Sequence, residues 1–573
     1  MKKMVSIGNQ GFEKLRAGGY FYVDKTDFIR EWWEAGDEVT LIARPRRFGK
    51  TLNMDMLNCF FSNRYKNRGD LFEGLSIWKR EEYRKLQGSY PVIFLSFANV
   101  KGDNYQDARN SIVSAINSAY QAHAYLLESN VLTEGEKSFF AQLDQYVNDI
   151  SADKQIVNEA IFRSLNNLSS CLARYYGKQV MILLDEYDTP MQEAYVHGFW
   201  NEFTSLIRNL FNTTFKTNPY LYRAVMTGIT RVSKESVFFD LNNLNVVTTT
   251  SEEYSSCFGF TEQEVFAALD AFGMEKEKDR VKQWYDGFVF GSRRDVYNPW
   301  SITCFLDKRQ YRTYWASTSS NGLIDRLIRT ASGQVKQQME VLLQETEIVV
   351  NFDEQIVFDQ LEWDENAIWS LLMASGYLKA ENVEYRGEEM EPWYHLKITN
   401  QETKIMFLRM FRDWFRSRGN GYESFVESLI RGDVEQMNYY MNKIALASFS
   451  YFDVGGQEPE KFYHGFVLGL MAEQTENYIL KSNRESGFGR YDVLMLPKKE
   501  TLPAVIMEFK VRNSTREKTL DDTVQTALTQ IEEKNYDEEV LSQGISKERI
   551  FHYGFAFEGK TVRIGKGSPV NGV

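Results

Sequence analysis

Between Glu38 and about Tyr254, short apolar runs alternate with long amphipathic stretches. Val39 to Ala43, Pro91 to Phe97, Val180 to Leu184 and Leu221 to Met226 are short and lack polar alternation, the pattern of strands buried on both faces. Tens of residues at helical spacing separate them, which predicts a parallel α/β sheet covered by helices. From Thr261 to about Asp453 the spacing becomes mainly helical. No fixed-period repeat and no low-complexity tract interrupts the chain.

Within the helical stretch, Glu365 to Ser375 reads as a helix stopped at Gly376. Tyr377 to Tyr385 and Trp393 to Ile398 read as strands about an Arg386-Gly387 turn, so the segment has the outline of a winged helix. Its wing carries Glu381, Glu384, Glu388, Glu389 and Glu391 against Arg386, which favours internal packing over contact with phosphates. The aromatic clusters at Trp284-Tyr285 and Tyr311 to Trp315 suit core or lid packing, and Tyr297-Asn-Pro-Trp300 a turn before a helix. A third α/β unit starts near Glu460. It has a helix over Phe462 to Glu473, strands at Tyr491 to Leu496 and Ala504 to Val511, a helix near Thr523 to Lys534 and a strand near Phe551 to Phe557.

At about 150 residues per domain, 573 residues make three or four packed units. Lys+Arg 67 against Asp+Glu 79 leaves a net charge of −12, which excludes a polybasic coat. Any nucleic-acid site is then a local basic groove on an acidic body, with salt-sensitive binding. Cys59, Cys171, Cys257 and Cys304 lie far apart, so neither a zinc ribbon nor a disulfide framework is expected, and a reducing cytoplasm fits. The opening Met-Lys-Lys is not followed by an apolar core, and no apolar run approaches the ~20 residues of a spanning helix, so neither a signal peptide nor a membrane partner is expected.

Arg44-Pro-Arg-Arg-Phe-Gly-Lys-Thr51 follows the first strand and opens a helix. Gly49, Lys50 and Thr51 match the end of a Walker A loop, while Arg44 stands where its first Gly belongs. Phosphate binding needs N–H groups at a helix start, a Lys for the β/γ-phosphates and a hydroxyl for Mg²⁺, and those parts are present. Arg44, Arg46, Arg47 and Phe48 complete the loop, and its arginines add positive charge. A helix start that happens to carry Gly-Lys-Thr is the alternative. The strand Val180 to Leu184 running into Asp185-Glu186 weighs against it, because Asp185 would then hold Mg²⁺ through water and Glu186 would orient the attacking water. The fourth strand ends at Thr227-Gly-Ile-Thr-Arg231. Thr227 there would touch the γ-phosphate or its water, and Arg231 would either stabilise transition-state charge or pair with a carboxylate.

Several motifs occur in order over roughly residues 5 to 330: Tyr22-Val-Asp24-Lys25-Thr26, the Arg-rich loop, Leu184-Asp-Glu-Tyr-Asp188, Thr227-Gly-Ile-Thr-Arg231, Cys257-Phe-Gly-Phe-Thr261, Trp284-Tyr-Asp-Gly287 and Tyr297-Asn-Pro-Trp300. This series resembles the bacterial AAA-ATPase-like proteins. The resemblance implies that ATP binding tolerates the missing first Gly, and that a PD-(D/E)XK nuclease-like domain lies at the C-terminus. The expected organisation is an AAA-ATPase-like P-loop domain over 1–255, a helical lid and winged-helix-like region over 256–455, and a PD-(D/E)XK nuclease-like domain over 456–573.

The C-terminal residues carry the matching chemistry. Gly489-Arg-Tyr-Asp492 enters one apolar strand, and Ala504-Val-Ile-Met-Glu508-Phe-Lys510-Val is another. Side chains alternate along a strand, so Glu508 and Lys510 share a face about 7 Å apart, and a neighbouring strand can bring Asp492 to the same end. Two carboxylates suit Mg²⁺ or Mn²⁺, and Lys510 would stabilise charge developing on phosphate or orient the water. A solvated Glu-x-Lys pair is the alternative. Lys510, Arg512, Arg516 and Lys518 form a basic run suited to a phosphate backbone. His464 stands where RecB-like nucleases place an extra metal ligand, with a plain helix histidine as the equal alternative. Gln530 and Tyr536 fit the downstream Gln/Tyr pattern of those nucleases only at a longer spacing, so a structural role is favoured for them. Glu485 is either a further acid or a loop charge.

The expected protein is a cytoplasmic ATPase coupled to a metal-dependent nuclease-like domain, acting on DNA or RNA and forming a homo-oligomer if a neighbour supplies an arginine. The rival is a nucleotide switch or nucleic-acid-binding module with an inactive nuclease fold, which Arg44 in place of Gly favours. A scaffold with both sites inert is a third reading.

Overall fold

The computed structural model describes residues 4–148, 153–230, 238, 241–316, 322–354, 361, 364–416, 421–448, 467, 471, 477–486, 489–559 and 561–567. The chain divides into two compact units, Met1–Ile324 with Val349–Thr403, and Asp325–Ile348 with Lys404–Val573. Among the described residues, no helix is long and apolar enough to cross a membrane.

The first unit is built on strands β1 (Val39–Ala43), β2 (Val92–Ser96), β3 (Val180–Asp185), β4 (Leu221–Gly228) and β5 (Leu244–Val247). They pair in the order β2-β3-β4-β1-β5, all parallel. Every residue of β1 and β3 is buried, as expected of strands covered on both faces. Helices Tyr105–Ala122, Lys154–Tyr176 and Trp200–Phe211 lay Ile112, Ile116, Ile161, Leu165 and Ile207 against Ile93, Ile182 and Leu184. Asp153 caps the second of these helices and Gly177, left-handed at φ +64°, ends it. The edge strand β5 escaped the sequence reading because only Val247 of its four residues is buried. β4 lies between β1 and β3, so the C-terminal ends of all three strands meet at one edge, where open α/β sheets bind ligands.

The stretch after Thr261 is mainly helical, as its periodicity predicts, but also carries short strands that the pattern hides. Strands β6 (Phe260–Thr261), β7 (Phe288–Phe290) and β8 (Arg293–Tyr297) form a small antiparallel sheet. Each is short, and β8 begins with three exposed charged residues that mask its alternation. The helix-plus-hairpin outline is present: helix Ala367–Ala374 leads into β10 (Leu378–Arg386) and β11 (Glu391–Ile398), with β9 (Ile348–Asn351) beside β11. The wing acids pair locally, Glu381 with Arg294 (2.8 Å) and Lys379 (2.9 Å), and Glu384 with Arg386 (2.8 Å) and His395 (2.9 Å).

The second unit carries β12 (Tyr478–Ser486), β13 (Gly489–Pro497), β14 (Ala504–Val511), β15 (Ile550–Glu558) and β16 (Thr561–Lys566) in sequential order. Only β14 and β15 run parallel, and the helix Leu520–Glu533 makes the crossover that parallel pairing requires. One face packs on helices Gly421–Arg431 and Val434–Ser448 through Phe425, Leu429, Met437 and Met441. The other packs on the crossover helix through Val524, Leu528 and Ile531. Of the helix expected over Phe462 to Glu473, only Val467 and Met471 are among the described residues, and both are buried.

Glu402 is a buried joint of the first unit. Its carboxylate accepts from the Ser301 hydroxyl (2.7 Å) and from the Trp315 and Ala316 amides (2.6 and 3.3 Å). Burial pushes this carboxyl up to about 7 despite those donors. The folded state therefore holds a proton that an unfolded Glu releases above about 4.5. The stabilisation is complete below that pH and is lost as pH rises through 7. Glu402→Gln should remove this dependence, so that urea midpoints of wild type and variant converge at pH 5 and wild type falls behind by up to about 3 kcal/mol at pH 8.

Candidate functional site

The loop after β1 is shaped by two left-handed residues, Arg47 (φ +66°) and Gly49 (φ +81°), on either side of Phe48. Glycine takes that conformation without steric penalty, whereas Arg47 needs support. Its guanidinium lies 4.3 Å from the centre of the Trp300 ring, and Asn298 Nδ2 donates to the Arg46 carbonyl (3.2 Å). Phe48 is buried edge-on against Phe288 and Phe290. Helix Lys50–Phe61 starts at Gly49 with no side-chain cap, so its first N–H groups face the loop as an anion cradle.

Lys50 is buried and lines the cavity above this loop, donating to the carbonyls of Arg44 and Pro45 (both 2.9 Å). Burial lowers its pKa, and the charges of Glu186, Asp188 and Asp185 oppose that shift. The Thr51 hydroxyl donates to Asp185 Oδ2 (2.8 Å), and that of Thr227 to Asp185 Oδ1. Three strand ends are thus joined through one carboxylate, whose pKa burial raises. A hydroxyl beside an acid is a hard-oxygen donor set that fits Mg²⁺. Glu186 lines the cavity with a left-handed backbone (φ +53°) and accepts from the Thr189 hydroxyl (3.2 Å). The cavity holds about 440 Å³, within the usual range for small-molecule pockets. Arg46, Arg47, Phe48, Gly49, Lys50, Thr51 and Glu186 all line it.

Arg44 corrects the sequence reading. It does not face the cavity. Its side chain is fully buried, donates to the carbonyls of Thr248 and Glu253, and lies 4.6 Å from the Phe290 ring centre. Burial pushes its guanidinium down to about 10. Arg44 is therefore a strut under the loop. Arg231 lies outside the described residues.

Sequence reasoning missed other cavity residues. Asp188 is buried, accepts from the Ile229 and Thr230 amides and the Thr230 hydroxyl (each 2.9 Å), and keeps Oδ1 without a hydrogen-bond partner. Gln192 holds Arg46 (3.2 Å), and Lys25 is clamped by Glu264 (2.7 Å). Their spacing after Asp185, or from the loop, carried no signal beyond the quoted motifs.

In the second unit, Val493 stands opposite Met507, so the antiparallel register puts Asp492 opposite Glu508 on one face. Asp492 Oδ2 accepts from the Phe509 amide (2.8 Å). Glu508 is buried, with Oε1 3.3 Å from Lys510 Nζ and Oε2 without a hydrogen-bond partner. Burial and then the Asp492 charge push its carboxyl up to about 8, against the pull of Lys510. A buried acid held protonated beside a second acid, with one oxygen orphaned, is a donor set that fits a divalent cation. Gln530 Nε2 donates to Glu508 Oε1 and to the Tyr536 hydroxyl (3.3 Å), so of the two residues for which a structural role was favoured, Gln530 bonds the acid and Tyr536 bonds Gln530. The two sit on the crossover helix and just beyond it, and the longer spacing hid this. His464 lies outside the described residues, as does the side chain of Glu485. In the basic run, Arg512 is tied to Glu558 and the Lys518 carbonyl, while Arg516 and Lys518 are exposed.

A further acid group, Glu262, Asp286 and Asp295, lies in the first unit. The Lys282 ammonium bonds Glu262 and sits 3.4 Å from Asp295, which already offsets its charge.

Fold and geometry define an α/β nucleotide-loop unit followed by a carboxylate–lysine unit. Residues 6–238 match the family model described as Predicted AAA-ATPase, and residues 458–567 match that of the PD-(D/E)XK nuclease superfamily, so the chain combines these two domains. It is similar to an "Uncharacterized protein in vnfD 5'region" of Azotobacter chroococcum mcd 1, 27% identical over 405 residues that cover 70% of this chain and 69% of that protein.

Because Arg44 is a strut, Arg44→Gly, which completes the Walker A pattern, should destabilise the protein by roughly 3 kcal/mol in denaturant unfolding through orphaned carbonyls and lost packing. It should not tighten nucleotide binding measured by calorimetry.

Proposed function

We propose that the protein is an ATPase whose cycle governs a metal-dependent nuclease. The observation that carries the nucleotide half is that Lys50, Thr51 and Glu186 line one cavity, while Asp185 and Thr227, which do not line it, are joined to Thr51 by hydrogen bonds from behind. Lys50 and the helix-start amides bind the phosphates of ATP, with Arg46 and Arg47 adding charge. Thr51 and Asp185 hold Mg²⁺, which supplies electrostatic neutralisation of the phosphates. Glu186 orients the water, and Thr227 fixes the Asp185 carboxylate through its hydroxyl. Arg231 is kept as the residue that stabilises transition-state charge.

The orphaned Glu508 Oε2 beside Asp492 carries the nuclease half. These two acids hold Mg²⁺ or Mn²⁺, with His464 as a further ligand, and the ion supplies Lewis acidity toward a phosphodiester of DNA or RNA. Lys510 stabilises the charge that develops on phosphate, and Gln530 positions the Glu508 carboxylate. Arg516 and Lys518 grip the polymer backbone. Arg44, the feature that favours a slow switch over an ATPase, turns away from the cavity, which supports the ATPase reading.

Lys50→Ala should weaken ATP binding at least tenfold in calorimetry. Unchanged affinity would remove the nucleotide assignment. Glu508→Gln should lower Mg²⁺- or Mn²⁺-dependent cleavage of labelled DNA or RNA by at least a hundredfold, and full retention would remove the nuclease assignment. Products that form equally with and without ATP would remove the coupling.

A further inference from the structure

The cavity extends beyond the phosphate loop along a wall that the nucleotide assignment leaves unexplained. That wall is made by the N-terminal segment. Ser6, Gly8, Asn9, Gln10, Phe21 and Val23 line it. The segment is tethered where Asp55 Oδ2 accepts from the Phe12 amide (2.7 Å). Asp55 lies five residues after Lys50 on the same helix, about 7.5 Å along its axis. The phosphate loop and this wall line one cavity, so a ligand whose phosphates sit on the helix start can extend along it towards the N-terminal segment. Phe21 and Val23 offer its far end apolar surface, as a flat aromatic base requires.

Asn9 supplies the polar contact. Its Oδ1 accepts from the Gly11 amide (3.2 Å), which fixes the orientation of the side-chain amide. Nδ2 is then a donor only. It is buried, has no hydrogen-bond partner, and belongs to a residue lining the cavity. A buried amide donor left unmade is costly, and a ligand acceptor relieves it.

We propose that Asn9 is the base-reading residue of this pocket, its Nδ2 donating to a lone-pair ring nitrogen of adenine. The assignment rests on the nucleotide-binding reading above and extends it from phosphates to base. An acceptor-bearing ring edge is what a lone donor selects. A triphosphate without a base makes no use of Asn9.

Two ligands separate this from the parent reading. Calorimetry on the full chain with Mg²⁺ is run with ATP and with inorganic tripolyphosphate, for wild type and Asn9→Ala. The expected result is a 3- to 10-fold loss of ATP affinity in the variant with tripolyphosphate affinity unchanged, which also reports that the variant is folded. ATP affinity equal to wild type, or equal losses for both ligands, overturns the role of Asn9. Wild type that binds neither ligand overturns the nucleotide reading itself.

Discussion

Asp185 is a carboxylate with no exposure to water, and the geometry of the first unit turns on how its two oxygens are used. Oδ2 takes the hydroxyl of Thr51 from the helix after β1, and Oδ1 takes that of Thr227 at the end of β4. A buried carboxylate without such donors would be strongly destabilising, so the three segments are held in register by the need to satisfy one acid. The strand order makes this possible, because β4 lies directly beside β3 and brings Thr227 to its terminus. The left-handed turn at Glu186 follows directly and turns the next acid into the cavity.

The second unit solves the opposite problem. Glu508 is almost as buried, yet one of its oxygens has no donor and the nearest acid is directly across the strand pair. Lys510 and Gln530 satisfy only Oε1. The residual charge is handled by protonation, which is why this carboxyl sits so far above the usual range. A divalent ion exchanged for that proton would serve the same electrostatic need.

Much of this was legible because burial on both faces leaves a plain mark: four of the five parallel strands, β13, β14 and β15 are apolar runs, and the acids stand out at their ends or on one side. The invisible parts have specific causes. β5 and β8 carry partly or fully exposed polar residues, and their alternation is weak. Arg44 was counted with the loop's positive charge because a loop sequence gives no direction for a side chain; tertiary contacts with Thr248, Glu253 and Phe290 turn it inward. Gln530 reaches Glu508 only because the crossover helix packs close on the sheet, close enough for Gly554 to be needed beneath Val524 and Ala527. Asp188 and Asn9 stand out only by atoms without a hydrogen-bond partner, which no residue pattern announces.

The two sites differ in charge balance, and that difference bears on what each can take. The first cavity is lined by five cationic side chains, Lys25, Arg46, Arg47, Lys50 and Lys101, against three acidic ones, Glu186, Asp188 and Glu193, a surplus suited to a polyphosphate. At the second, Asp492 and Glu508 face one ammonium, a deficit suited to a cation. A polymer phosphate approaching the second site meets an acidic pair first, so a bound cation must precede it. An overall charge of −12 strengthens that order, since the body of the protein repels the polymer wherever the local field is not reversed. On the proposed function, the first site's charge would suit a nucleotide directly, whereas a polymer at the second would need a cation bound there beforehand.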